Sequence, residues 1–161
     1  MKMELIQPFI NAADAVLAES LQGATHMNEV SMDSDVYRCK GIAALVGMQG
    51  DIEGRVILDL ENTTALRVAS CMAGGESPDA DMVDETICEL ANQVIGNAVT
   101  TLNDQGFRFK VLPPQIHRSD EGLASSADTE ALVMCFDTTT GKVYLNIAMH
   151  YNRRRRSDGQ I

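Results

Sequence analysis

With 161 residues, 45% of them hydrophobic and 22% charged, the chain has the makeup of one soluble globular domain, long enough to bury a core without disulfide or metal staples. Its 23 acidic residues outnumber 13 basic ones, for a net charge of -10, and an acidic body of this kind argues against a nucleic-acid or anionic-membrane surface. Trp is absent and only four Phe and three Tyr are present, too few for an aromatic stacking platform.

In chain order, residues 4–21 carry Ile6, Phe9, Ile10, Ala13, Val16, Leu17 and Leu21 at helical spacing, which predicts an amphipathic helix. Pro8 falls in its first turns and suits a helix that starts near Gln7, and Gly23 is a stop signal. This opening segment has an early acid and no long apolar run, so it does not read as a signal peptide. No window of the chain approaches the roughly 18 apolar residues of a membrane span. The cytoplasm is the expected location. Residues 24–35 are polar and aperiodic, and read as a loop or an irregular edge segment.

Residues 36–48 are apolar and residues 55–60 alternate; the turn-rich stretch 49–54 between them predicts a hairpin. Asn62 reads as the cap of a helix over 63–73, ended by Gly74 and Gly75. Asp79 and Asp81 open a longer helix that runs to about Gln105, with Gly106 as its stop. Strands are predicted at 107–112, 114–118, 131–137 and 142–150. Thr138, Thr139, Thr140 and Gly141 form the turn between the last two, and residues 119–130 a loop. Residues 1–152 then make a single domain and residues 153–161 a disordered basic tail, whose run Arg153 to Arg156 is either solvated or a grip for an acidic partner.

Strands arrive in hairpins and not in alternation with helices. The expected class is therefore α+β: an antiparallel sheet with helices packed on one face. Each half gives a helix followed by strands, an order compatible with an internal duplication that the residues themselves do not display. Cys39, Cys71, Cys88 and Cys135 form no CxxC pair and do not cluster with His26, His117 or His150, so buried reduced thiols are expected and no zinc site.

The informative segment is the long helix. Ile87, Leu90, Ala91, Val94, Ile95, Ala98 and Leu102 fall on one stripe, the buried face. Opposite lie Glu85, Glu89, Asn92, Gly96 and Asn103. Glu89 and Asn92 are three residues apart and project from neighbouring points. A glycine in an exposed helix interior costs about 1 kcal/mol relative to alanine, and Asn92 and Asn97 are also poor helix formers. Two explanations fit. The face is merely solvated, with Gly96 letting another backbone pack close; or the bare glycine admits a partner protein while Glu89 and Asn92 reach into it. Asn97, on the border of the two faces, reads as structural.

The segment Glu89-Leu90-Ala91-Asn92-Gln93-Val94-Ile95-Gly96-Asn97-Ala98 resembles the signature helix of the CheC/CheX/FliY family of chemotaxis phosphatases, whose active motif is Glu-x-x-Asn on an exposed helix. Pro8-Phe9-Ile10, the stretch from Gly50 to Val56, and the run from Thr64 through Met72 look like the CheX branch, so the likeness spans roughly residues 4–150. The N-terminal helix holds no Glu-x-x-Asn, which resembles CheX, with one site per chain, and not CheC. The resemblance implies a CheC-like α+β fold, a homodimer, and action on a phosphorylated CheY-type response regulator. It assigns Asn92 to orienting the attacking water and Glu89 to anchoring the receiver through its lysine, with Glu85 and Gly96 in the docking face. No cofactor would be bound by this chain, since the Mg²⁺ belongs to the receiver. The alternative is a non-catalytic adaptor or flagellar-switch binding module docking on a response regulator through the same face.

Overall fold

The computed structural model describes residues 3–33, 37–119 and 130–152. Helix α1 (Met3–Ser20) leads into β1 (His26–Asp33), β2 (Ile42–Gly50) and β3 (Ile52–Leu60). Helices α2 (Asn62–Met72) and α3 (Ala80–Asp104) follow, then β4 (Phe109–Val111), β5 (Gln115–Arg118), β6 (Ala131–Thr138) and β7 (Gly141–Tyr151). All pairings are antiparallel, in the order β1-β6-β7-β3-β2, with β4 and β5 both laid along the far side of β2. Turning the sheet end for end exchanges β1 with the β4–β5 pair, β6 with β2, and β7 with β3. The topology thus has the symmetry that the two-halves reading anticipates.

Alternation along the strands decides which face the helices cover. Ile42, Ala44, Val46 and Met48 of β2, Val56, Leu58 and Leu60 of β3, and Val143, Leu145, Ile147 and Met149 of β7 all enter one core with the inward faces of the three helices. Each fully buried side chain of this size is worth about 1.5–3 kcal/mol relative to an exposed one, so a one-residue slip of register would be prohibitive. The other sheet face carries a smaller cluster of Tyr37, Ala43 and Ile57. At its edge Asp59 is buried and accepts hydrogen bonds from the Tyr37 hydroxyl and the Lys40 backbone N–H (2.9 Å), while the Cys39 thiol lies 3.6 Å away. Burial pushes the Asp59 carboxyl up, and these donors partly offset it.

Several expectations shift in detail. The first helix begins at Met3, not near Gln7, and holds Pro8 inside it. Pro8 forfeits one backbone bond, but Leu5 and Ile6 are completely buried by the earlier start, and that burial outweighs the loss. Its end comes before Gly23: Gln22 takes the left-handed position, φ 55°, and the Gly23 N–H reaches back to the Ala18 carbonyl at 3.1 Å. Residues 26–33, left open between loop and edge, form an edge strand paired to β6. The second strand starts at Ile42, since residues 37–41 cross the outer sheet face toward Asp59.

The stretch 49–54 is not a loop. β2 and β3 run through it to an apex at Asp51, because each keeps an outer neighbour past the last hairpin pair, Met48 with Gly54: β4 for Gly50 and β7 for Ile52. Gly54 is obligatory there, since a Cβ would stand 2.0 Å from the Ala148 carbonyl. Asn62 is the first helical residue and not the cap. Glu61 holds that place without a side-chain bond, the completely buried Leu60 having extended β3 up to it. Part of the predicted 119–130 loop and the whole 153–161 tail lie outside the described residues.

Candidate functional site

Helix α3 is fixed at both ends. The Asp79 carboxylate accepts from the Met82 N–H at 2.9 Å, and Asp81 adds a second acid in the first turn, where the helix dipole favours one. Asp84 receives both bonds of its ion pair from Arg118, at 2.5 and 2.6 Å, tying the helix to β5. At the far end Gly106 adopts φ 98° and lets the Phe107 N–H return to the Leu102 carbonyl at 3.1 Å. Val83, Ile87, Leu90, Ala91, Val94, Ile95, Ala98 and Leu102 are buried against the sheet and α1, which sets the rotation of the helix about its axis. Glu85, Glu89, Asn92 and Gly96 are consequently all exposed on the outward side, as their spacing anticipates.

The outward side is chemically uneven. The exposed ionisable residues of α3, Asp81, Glu85, Glu89 and Asp104, are all acids, and the helix contains no Lys or Arg. The Asn92 carboxamide makes no side-chain hydrogen bond among the described residues, so both its donor and its acceptor face outward unused. Glu89 Oε1 accepts from Gln93 Nε2 at 3.3 Å, and Gln93 Oε1 lies 3.4 Å from the Ser20 hydroxyl at the end of α1. Gln93 and Ser20 escape sequence reading because the contact joins two helices that are distant in the chain.

Gly96 resolves one of the two explanations for its presence. A Cβ built there meets nothing within 4 Å, so no backbone among the described residues packs against it and the packing explanation finds no support there. Asn97 is exposed and borders an open groove of about 430 Å³ between α1 and α3, lined by polar residues such as Gln7, Asn11 and Thr101 and by the apolar Pro8, Ala12 and Ala15. Cys88, one turn before Asn92, is half-buried; burial first, and the Asp84 carboxylate second, push its thiol up. Among the described residues no group of three or more His, Cys, Asp or Glu is arranged to hold a metal ion. No helix among them is long and apolar enough to cross a membrane.

The chain is similar to several known proteins. Residues 42–137 match the family model described as chemotaxis phosphatase CheX. The CheY-P phosphatase CheX of Thermotoga maritima is 32% identical over 79 residues, 47% of this chain and 50% of that protein, so the match spans half the length of that relative. Among solved structures, the complex of CheX with CheY, BeF3 and Mg²⁺ from Borrelia burgdorferi superposes with a TM-score of 0.75 at 31% identity, covering 92% of this chain and 99% of that one. A CheC-like superfamily protein from Shewanella sp. PV-4 gives a TM-score of 0.79 at 24% identity, over 93% and 99% of the two chains, and shares the fold.

Proposed function

The chain belongs to the CheX family of chemotaxis phosphatases, and from that premise we propose that it hydrolyses the aspartyl phosphate of a CheY-type response regulator. The observation that carries this reading is the pairing of Glu89 with an Asn92 unengaged among the described residues, on the open side of α3, next to a glycine that none of those residues packs against. The solved complex of a CheX with CheY, BeF3 and Mg²⁺ supports the choice of partner. In this proposal the Mg²⁺ is the receiver's own and this chain supplies no ligand to it.

An acyl phosphate on a receiver aspartate lacks one thing for rapid hydrolysis, a water held in line with the phosphorus–oxygen bond. A carboxamide can hold it. The Asn92 carbonyl accepts from one water O–H and its NH2 group donates to a neighbouring oxygen, which fixes the direction of attack. The water oxygen bonds to phosphorus, the receiver carboxylate leaves, and inorganic phosphate departs. No covalent intermediate on this chain is required, because phosphoryl transfer is mainly positioning and electrostatics. Glu89, an acceptor only, meets the receiver's active-site lysine and so sets where Asn92 lands. Gly96 keeps the next turn bare for the approach, and Glu85 extends the acidic margin.

The test is release of phosphate from a purified phosphorylated receiver in the presence of Mg²⁺. Turnover by the unaltered protein that disappears in a folded Asn92→Ala variant supports the mechanism; undiminished turnover in that variant removes it. Receiver binding without turnover, dependent on Glu89 and indifferent to Asn92, marks the adaptor alternative instead. The reading also includes a cytoplasmic homodimer. Its support is β1, the terminal strand of the sheet, which exposes Met27, Val30 and Met32. A monomeric mass at micromolar concentration counts against the dimer.

A further inference from the structure

Resting on the phosphatase reading, we infer that Gln93 and Ser20 are positioning residues that aim the Glu89 carboxylate at the incoming receiver. The chemistry of the three groups gives the contact a single direction. A carboxylate only accepts, so Gln93 must turn its NH2 group toward Glu89 Oε1, 3.3 Å away. That leaves the Gln93 carbonyl to accept from the Ser20 hydroxyl at 3.4 Å, an orientation of the amide fixed from outside α3. A Glu and a Gln four apart on one helix meet routinely and hold each other weakly. The difference here is the third member. Ser20 is half-buried and is the last residue of α1, a helix locked into the core by Leu5, Ile6, Phe9 and Leu17.

Two consequences follow for the carboxylate. With Oε1 engaged, Oε2 is the oxygen presented outward, and it has no partner among the described residues. The side chain also enters the encounter already narrowed to one arrangement. An exposed glutamate otherwise surrenders its rotamer freedom when it docks, and a side chain ordered beforehand spares the complex that loss. The effect therefore belongs to docking and not to the attack of water, which separates Gln93 from Asn92 kinetically. It also makes the position of α1 relevant to the site, although α1 carries no Glu-x-x-Asn of its own.

The experiment is steady-state hydrolysis of the phosphorylated receiver by the full-length protein and the variants Gln93→Ala, Ser20→Ala, Ser20→Thr, Glu89→Ala and Glu89→Ala/Gln93→Ala. Gln93→Ala and Ser20→Ala are expected to raise KM about fivefold and twofold respectively, with kcat little changed. Ser20→Thr, which keeps the hydroxyl, should restore KM. In the Glu89→Ala background, loss of Gln93 should add nothing, since it acts only through the carboxylate. An unchanged KM in Gln93→Ala beside an impaired Glu89→Ala overturns the relay, and so does an additive double variant.

A second readout needs no receiver. The Gln93 side-chain amide resonances should move, relative to the unaltered protein, in both Ser20→Ala and Glu89→Ala. An intact amide response without turnover by the unaltered protein sinks the phosphatase reading itself. Normal turnover without the response sinks the relay alone.

Discussion

Helices α1 and α3 occupy exchanged positions in a sheet that looks alike from both edges, yet their outward faces are built for different ends. Laying Ile6 on Ile87 brings Phe9 onto Leu90, Ile10 onto Ala91, Ala13 onto Val94, Leu17 onto Ala98 and Leu21 onto Leu102, every one of them buried. These six core positions of the two stripes therefore coincide, although the buried Val16 falls on the exposed Asn97 and the exposed Asp14 on the buried Ile95. In that frame Asn11 coincides with Asn92, but Pro8 stands where Glu89 does and Ala15 where Gly96 does. Pro8 is buried while Glu89 is exposed. The Asn11 carbonyl is occupied by the Gln7 amide at 2.8 Å, whereas the Asn92 carboxamide is unengaged among the described residues. Core demands explain what the helices share; they do not explain the glutamate, the free amide or the glycine of α3. The difference locates the proposed chemistry on α3 by subtraction.

The comparison is broken most directly at Asn92. Asn92→Ala is expected to lower kcat about a hundredfold, on the order of 3 kcal/mol for one lost positioning group, in a phosphate-release assay. Next comes Glu89→Ala, which should lower kcat/KM about tenfold, mostly through KM, as befits a charged contact made at the partner surface. Gly96→Ala comes third and sharpens the contrast, since it gives α3 the residue that α1 already has. It should raise stability by about 0.5–1 kcal/mol in denaturant unfolding, while weakening receiver binding severalfold in a titration. Asn11→Ala, the counterpart of the first substitution, should leave turnover within about twofold, any stability change staying under ~0.5 kcal/mol. An Asn11 effect that rivalled that of Asn92 would make the two helices functional equals and overturn the comparison.

Much of this was readable before any coordinates. The α3 stripe, its Asp79 cap and its Gly106 stop are local signals, and local signals fixed which residues face out. The β6–β7 turn at Thr139 and Thr140 was likewise legible from its Gly141. What escaped depends on partners remote in the chain. Pro8 lies inside a helix because the core rewards Leu5 and Ile6. Residues 26–33 are a strand because β6 offers an unpaired edge, not because they alternate. Ser20 meets Gln93 only after α1 packs on α3. The meaning of Gly96 was undecidable from spacing, since a glycine that admits a neighbour of its own chain and one that admits a visitor are spelled alike.

The empty surroundings of Gly96 also bear on how this protein would respond to engineering. A library screened for heat resistance alone would enrich alanine at position 96, because the folded monomer has no objection to it. The winners of that screen would be sturdier molecules with a blunted capacity for recognition, and the assay that selected them would never register the loss.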